Sequence, residues 1–431
     1  MDIMQSFSSK VCKCGKTHAC AIDSVIIEKD AIAKLSALCQ GYKEILVVAD
    51  GNTFEAAGGQ TLSALSGKTV RQVIFPKTPL LIPNEKAVAR VVDELLSAEL
   101  IVGIGSGVVQ DLCKYVSFVK GVPYMVVATA PSMDGYASNG AAMIFEGMKV
   151  TVAAGLPKAI VCDTDVLKNA PMEMIQAGYG DIIGKYSALC DWRLSHIVNG
   201  EYLCDYVYDT TYAMIEKVIG CAEGLLARDE QSIAVLTEAL ITVGIMMSFA
   251  GSSRPASGSE HHLSHFFEIV GIVKDEPYFS HGIDVAYSTV VTAALRERLL
   301  ALDFPSVRRV MPRSEYENRM REIYCSVADG CIVLQDKTGN YATDRMHVYK
   351  AKEAEIKEIL AQMPTAVNIK ELLTRIGLDM GAFFRLYGEE KVNEAVLYAK
   401  DLKDRYTVLW LAYDLGLTAE GEGKEVWKQA K

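Results

Sequence analysis

"LIVGIGSGVVQDLCKYVSFVKG", Leu100–Gly121, joins an apolar run, a glycine turn and an amphipathic stretch. Its first seven residues carry no polar alternation, so they read as a strand covered on both faces; Val108 onward reads as a helix. The same alternation extends outward in both directions. "EILVVAD" (Glu44–Asp50), "VRQVIFP" (Val70–Pro76) and "YMVVATA" (Tyr124–Ala130) read as further buried strands. "NTFEAAGGQTLSAL" (Asn52–Leu65) and "EKAVARVVDELLSA" (Glu85–Ala98) read as the helices between them. Apolar strands joined by helices predict a parallel, Rossmann-like sheet with helices on both faces. After "AIVCDTDVL" (Ala159–Leu167) the strand signals stop and helical periodicity takes over. The expected organisation is an α/β domain over residues 1–165 and an all-α domain over 166–431, with a polar loop at Val333–Arg345.

A chain of 431 residues suits more than one core. Half of its residues are hydrophobic and 23% are charged, a globular composition, and its net charge of −10 excludes a dedicated nucleic-acid binder. "IAVLTEALITVGIMMSFAG" (Ile233–Gly251) is long enough to span a bilayer, but it contains Glu238 and lacks a basic flank. It reads as a buried helix. With no signal-peptide core at the N-terminus, the expectation is a soluble cytoplasmic protein without a membrane partner. The eleven cysteines are too dispersed for a disulfide scaffold. Cys12, Cys14, His18 and Cys20 are zinc-ligand types, but Cys-x-Cys is tighter than the usual Cys-x2-Cys. The preferred reading there is a surface β-turn around Gly15, with a structural zinc as the alternative.

Two segments carry chemistry. In "VGIGSGVVQDLCKY" (Val102–Tyr115) small residues let a diphosphate approach the backbone at a helix N-terminus. Val108 stands where a GxGxxG fingerprint requires glycine, and no Gly-Lys-Ser/Thr follows. Asp50, at a strand end, is a candidate ribose ligand. In "RPASGSEHHLSHFFEIVG" (Arg254–Gly271) lie His261, His262 and His265, three of the seven histidines. His261 and His265 share a helix face, from which His262 is rotated away. His281 begins another helix, and Asp181 sits on an otherwise apolar, glycine-spaced one. A carboxylate and two imidazoles from three helices make a divalent-metal site with an open position.

"GIGSGVVQDLCKY", "VATAPSMDGYASNGA", "GYGDIIGKY", "SSRPASGSEHHLSH" and "SHGIDVA" resemble, in order, the motifs of the sn-glycerol-1-phosphate dehydrogenases, bacterial branch. These belong to the metal-dependent alcohol dehydrogenase and dehydroquinate synthase superfamily, and the match runs from "CKCGKTHA" to "RYTVLWLAYDLGL". The resemblance implies a dehydroquinate synthase-like fold and a divalent metal, zinc or nickel first, on Asp181, His261 and His281. It implies NAD(H) or NADP(H) along Gly105, Ser106, Gly107, Asp111, Thr129 and Ser132, with Asp50 on the ribose. Asp134 would face nicotinamide and substrate, and His265 would line the site for proton handling or orientation, with water and the ribose as the other proton route. Arg254 and Lys185 are the candidate cations for a substrate phosphate. Ser257, Gly258 and Ser259 are expected to be small so that the helix end can crowd against substrate. The implied reaction is reversible reduction of dihydroxyacetone phosphate to sn-glycerol 1-phosphate by a homodimer. The rival readings are a polyol dehydrogenase of the same fold, a dehydroquinate synthase-like cyclase, and a cofactor-binding sensor without turnover.

Overall fold

The computed structural model describes residues 3–7, 9–145, 148–305, 307–308, 311–418, 421 and 423–431. The strands, in chain order, are β1 (Lys10–Val11), β2 (Thr17–His18), β3 (Ser24–Glu28), β4 (Glu44–Asp50), β5 (Thr69–Phe75), β6 (Leu100–Gly105), β7 (Tyr124–Ala128), β8 (Gly140–Phe145), β9 (Met148–Ala153) and β10 (Ala159–Asp163). Six of them form one sheet in the order β3-β10-β7-β6-β4-β5, and every pairing in it is parallel. The pairs β1–β2 and β8–β9 are separate antiparallel hairpins.

The sheet follows directly from the apolar runs. Val47, Val102, Val127 and Val161 pack into one cluster, while their neighbours Leu46, Ile101, Val126 and Ile160 are equally buried on the opposite side. Each such side chain contributes about 1.5–3 kcal/mol on burial, which is why both faces must be covered. The chain runs from β4 outward to β5 and returns as β6 on the other side of β4. That reversal leaves a crevice beyond the carboxyl ends of β4 and β6, where open parallel sheets bind ligands. Asp50 and Gly105 are the last residues of those two strands.

By packing, the chain divides into two compact units, Met1–Ile182 with Glu216–Ser252, and Ile183–Ile215 with Ser253–Lys431. The division differs from the boundary expected at 165, and bare backbone contact accounts for the difference. A Cβ on Gly178 would lie 1.9 Å from the Pro131 carbonyl oxygen, and one on Gly244 would lie 2.7 Å from that of Asp134. Both helical segments therefore lie directly against the loop after β7 and belong with the sheet. The helix Glu230–Ala250 is long and apolar enough to cross a membrane, but 83% of its most apolar window is buried inside the protein. Sequence reading missed the β8–β9 hairpin, and it assigned to a loop the residues 333–338 that complete the helix Ala328–Thr338.

The second unit is helical. Its core includes Trp192, Phe266, Phe267, Tyr324 and Trp410, all buried. At its centre Asp191 pairs with Arg296 at 2.9 Å, both side chains being withdrawn from solvent. The Asp191 carboxylate also accepts the Ser259 N–H at 2.7 Å and the Val408 N–H at 2.8 Å. These two residues open the helices Ser259–Lys274 and Val408–Asp414. Arg296 donates in turn to the Thr292 and Ser187 carbonyls and to Ser259 Oγ.

Removing one partner of such a pair strands the other charge. Asp191→Ala should therefore lower stability by about 3–5 kcal/mol, and the double variant Asp191→Ala/Arg296→Met should recover part of that loss. Urea unfolding of the four proteins of this cycle measures both effects.

Candidate functional site

In the sheet-bearing unit the site is built at the strand ends. β6 finishes at Gly105, where a Cβ would stand 2.6 Å from that of Val109, so the turn into the helix Gly107–Lys120 tolerates no side chain. Ser106 caps that helix with no side-chain hydrogen bond to it. The Thr129 N–H donates to the Gly105 carbonyl at 3.3 Å, which brings the loop after β7 alongside the turn. Gly105, Ser106, Gly107, Thr129 and Ser132 are thus carried by adjacent turns at the crevice. Asp50 takes part differently. Its Oδ1 accepts the Asn52 and Thr53 N–H groups at 2.8 and 3.0 Å as the N-cap of the helix Gly51–Ala64. Asp111 is tied inward: its Oδ2 accepts the Ala142 N–H at 3.2 Å, and Lys114 lies 3.8 Å from Oδ1. That arrangement suits a brace for β8 better than a cofactor contact.

Lys114 is a residue that sequence reading missed. It is fully buried and donates to the Gly135 carbonyl (2.8 Å), the Gly140 carbonyl (2.8 Å) and Ser138 Oγ (3.1 Å). These bonds gather the loop that carries Asp134. Burial pulls the Lys114 ammonium down to about 8, against the opposing pull of Asp111 and Asp134. The Asp134 N–H donates to Asp181 Oδ2 at 3.0 Å, and Asp181 itself is buried. The loop and the candidate metal carboxylate are therefore joined. The Tyr136 hydroxyl donates to the Ala130 carbonyl at 2.9 Å and closes the same loop from its other end.

In the helical unit three imidazoles converge. The ring centroids of His261, His265 and His281 are 5.1 Å (261–281), 5.4 Å (265–281) and 6.1 Å (261–265) apart. His261 Nδ1 lies 2.7 Å from Glu260 Oε1, an oxygen that also accepts the Gly258 N–H. A carboxylate on Nδ1 fixes the ring and frees Nε2 as a ligand, the usual support behind a metal-binding histidine. Burial pushes the Glu260 carboxyl up, but the His261 hydrogen bond and charge outweigh it, with the Gly258 N–H and Ser187 adding to them, so the net shift is downward. Ser264 Oγ lies 3.4 Å from His281 Nδ1. The donor set fits a divalent ion. His262 is different: it is fully buried, and its ring nitrogens lack hydrogen-bond partners among the described residues. Burial first, then the charges of Arg405, Lys403 and Arg254, hold it well below the usual histidine range, and so neutral.

The expectation for Arg254 needs correction. Its guanidinium grips Glu201 through Nε at 2.6 Å and Nη2, and donates from Nη1 to the Tyr406 carbonyl at 2.8 Å. A cation paired in this way has little left for a phosphate. Lys185 is fully buried, so it serves a phosphate only if that group is itself enclosed. Arg405 is a further cation of this unit, and nothing in its sequence context signalled it. It is partly exposed and donates to the Ser257 carbonyl at 3.3 Å, and burial and then the Arg254 charge pull its guanidinium downward. Gly258 also departs from expectation. A Cβ there would stand 2.7 Å from Ala188 Cα and 2.7 Å from Asp191 Oδ2, so the glycine is required by a neighbouring helix rather than by a substrate.

The family model for iron-containing alcohol dehydrogenase matches residues 26–171. A protein of Geobacillus thermodenitrificans named glycerol-1-phosphate dehydrogenase (NAD(P)+) is 31% identical over 376 residues, 86% of each chain. Its namesake from Geobacillus stearothermophilus is 30% identical over 417 residues, covering 94% of this chain and 96% of that one. Among solved structures, glycerol dehydrogenase from Schizosaccharomyces pombe aligns with a TM-score of 0.62 at 15% identity, covering 94% of this chain and 88% of that one. At that identity the likeness concerns the fold.

Lys114 gives this site a pH signature. Its folded-state value of about 8 lies below the ordinary 10.5, so the unfolded chain holds the extra proton between those values. Stability should therefore rise with pH through that window as the buried charge is lost. In Lys114→Met the rise should disappear, on a lower baseline, because three acceptors lose their donor. Thermal midpoints of both proteins from pH 8 to 10.5 provide the comparison.

Proposed function

The chain belongs to the glycerol-1-phosphate dehydrogenase family of the iron-containing alcohol dehydrogenases, and from that membership we propose that it reversibly reduces dihydroxyacetone phosphate to sn-glycerol 1-phosphate. The observation that carries this reading is the imidazole trio, with the Glu260 carboxylate fixing His261. By the family's motifs, Asp181, His261 and His281 would hold a divalent ion; imidazole suits zinc and nickel among others, and these two are the first choice. When bound, the ion supplies a Lewis acid for the ketone oxygen, and the nicotinamide supplies the hydride.

The residues of this chain do the rest. Gly105, Ser106 and Gly107 admit the diphosphate to the helix N-terminus, with Thr129 and Ser132 beside it. Asp50 takes the ribose hydroxyls and repels a 2'-phosphate, so NADH is preferred to NADPH. Asp134, held by Lys114 and Asp181, orients the reacting carbonyl, and His265 delivers the proton to the product oxygen. Arg405 binds the substrate phosphate, with Lys185 as a second cation. No disulfide joins the cysteines of the described residues, and the cytoplasm is taken as the compartment. The working unit is taken to be a homodimer.

Metal-stripped protein should regain NADH oxidation with dihydroxyacetone phosphate when zinc or nickel is returned, and chiral analysis should give sn-glycerol 1-phosphate. Asp181→Ala should lose metal and turnover together. No NADH loss with any ion, in protein shown to bind the cofactor, would refute the reading and favour a cyclase or a sensor.

The phosphate role has its own test. Arg405→Ala should raise KM for dihydroxyacetone phosphate about 10- to 100-fold, the worth of a charge-assisted hydrogen bond. Turnover of unphosphorylated dihydroxyacetone should change little. Equal losses on both ketones would remove Arg405 from the phosphate site.

A further inference from the structure

The N-terminal hairpin lies outside everything assigned above, yet it gathers three soft ligands. β1 and β2 pair antiparallel, with Lys10 opposite His18 and Val11 opposite Thr17. The turn between them is closed by the Cys12 N–H on the Lys16 carbonyl (2.9 Å) and the Gly15 N–H on the Cys12 carbonyl (3.0 Å). Gly15 sits at φ +87°, a left-handed geometry that glycine adopts without strain. This tight turn returns His18 beneath the two cysteines. Ligand atoms of Cys12, Cys14 and His18 all lie within 4.8 Å of one another, and Cys14 Sγ is 3.5 Å from His18 Nε2.

Those separations are close to what a tetrahedral ion requires. Zn–S and Zn–N bonds of ordinary length give tetrahedral edges of roughly 3.6 Å between sulfur and nitrogen and roughly 3.8 Å between two sulfurs. His18 is buried and stacks on Phe249 at 5.0 Å between centroids, with the planes 16° apart, so its ring is already oriented. The thiols are half-buried, within reach of an entering ion. A hairpin this short is marginal without a cross-link, and a bound ion supplies one through folding-coupled affinity.

We propose that Cys12, Cys14 and His18 form a structural site for a thiophilic divalent ion, zinc foremost, separate from the catalytic ion and pinning the N-terminal hairpin. The first cysteines of the chain are therefore ligands rather than packing residues. Cys20, the other candidate from the sequence, lies outside the group.

Cobalt substitution of the full-length protein separates the two ions, because the hairpin ligands include thiolates while the proposed catalytic set is carboxylate and imidazole. Cobalt-loaded wild type should show a near-ultraviolet thiolate-to-cobalt charge-transfer band. Cys12→Ser/Cys14→Ser should lose it together with one equivalent of zinc per chain. Cys20→Ser should keep the band. So should Asp181→Ala, which alters the carboxylate–imidazole site alone, so failure of the catalytic reading leaves this result unaffected. The single variant Cys14→Ser, with a native circular dichroism spectrum, should weaken the band and guards against misfolding of the double variant. Absence of the band in wild type, its survival in the double variant, or isolation of the protein with Cys12 and Cys14 joined as a disulfide would overturn the proposal.

Discussion

One buried carboxylate organises the helical unit. Asp191 meets two helix N-termini and the Arg296 guanidinium at once, all away from water. An isolated anion there would be prohibitively costly to desolvate. Three positive partners change the balance, since helix N-termini carry partial positive charge and the guanidinium a full one. The consequence is positional. Ser259 is held through its N–H, so Glu260 and His261, the next two residues, begin from a fixed backbone. Gly258 must be bare because the helix end is drawn against Ala188 and Asp191 itself. The direction of the histidine helix, and hence the imidazole trio, depends on this contact.

The sheet-bearing unit solves the corresponding problem with the opposite charge. There a buried ammonium, Lys114, gathers carbonyl and hydroxyl acceptors from the loop between β7 and β8. A loop so close to a ligand crevice cannot be shaped by apolar packing alone, because its carbonyls need donors wherever they are buried. The Tyr136 hydroxyl and the Asp134 N–H complete the set. Each unit thus spends one buried charge on positioning the backbone that carries chemistry.

How far the sequence disclosed this depends on the range of the interaction. Strands β4, β6, β7 and β10 were legible because each is an unbroken apolar run, and the long helices because their periodicity is local. That His261 and His265 share a helix face was legible for the same reason, their spacing being local. Interactions between distant segments were not. Glu201 lies 53 residues from Arg254, and nothing near either residue announces that they pair. Asp111 was expected beside the cofactor from the family resemblance alone, and its partner Ala142 lies in a hairpin that sequence reading missed. Cys20 sits two residues beyond His18, yet the turn at Gly15 fixes which side chains face one another, and Cys20 falls outside the group.

The exchange of Arg254 for Arg405 follows from charge accounting rather than from proximity. An arginine whose fork already grips a carboxylate has its N–H groups engaged, so an arriving phosphate must compete with Glu201 for them. For Arg405, burial first and then the Arg254 charge beside it lower the guanidinium's affinity for its own proton. On the proposed reading, a dianion arriving there would offset that repulsion as well as form bonds. Arg254 then has a defined part: it anchors the Tyr406 carbonyl, next in the chain to Arg405, and so fixes the backbone from which that second guanidinium projects.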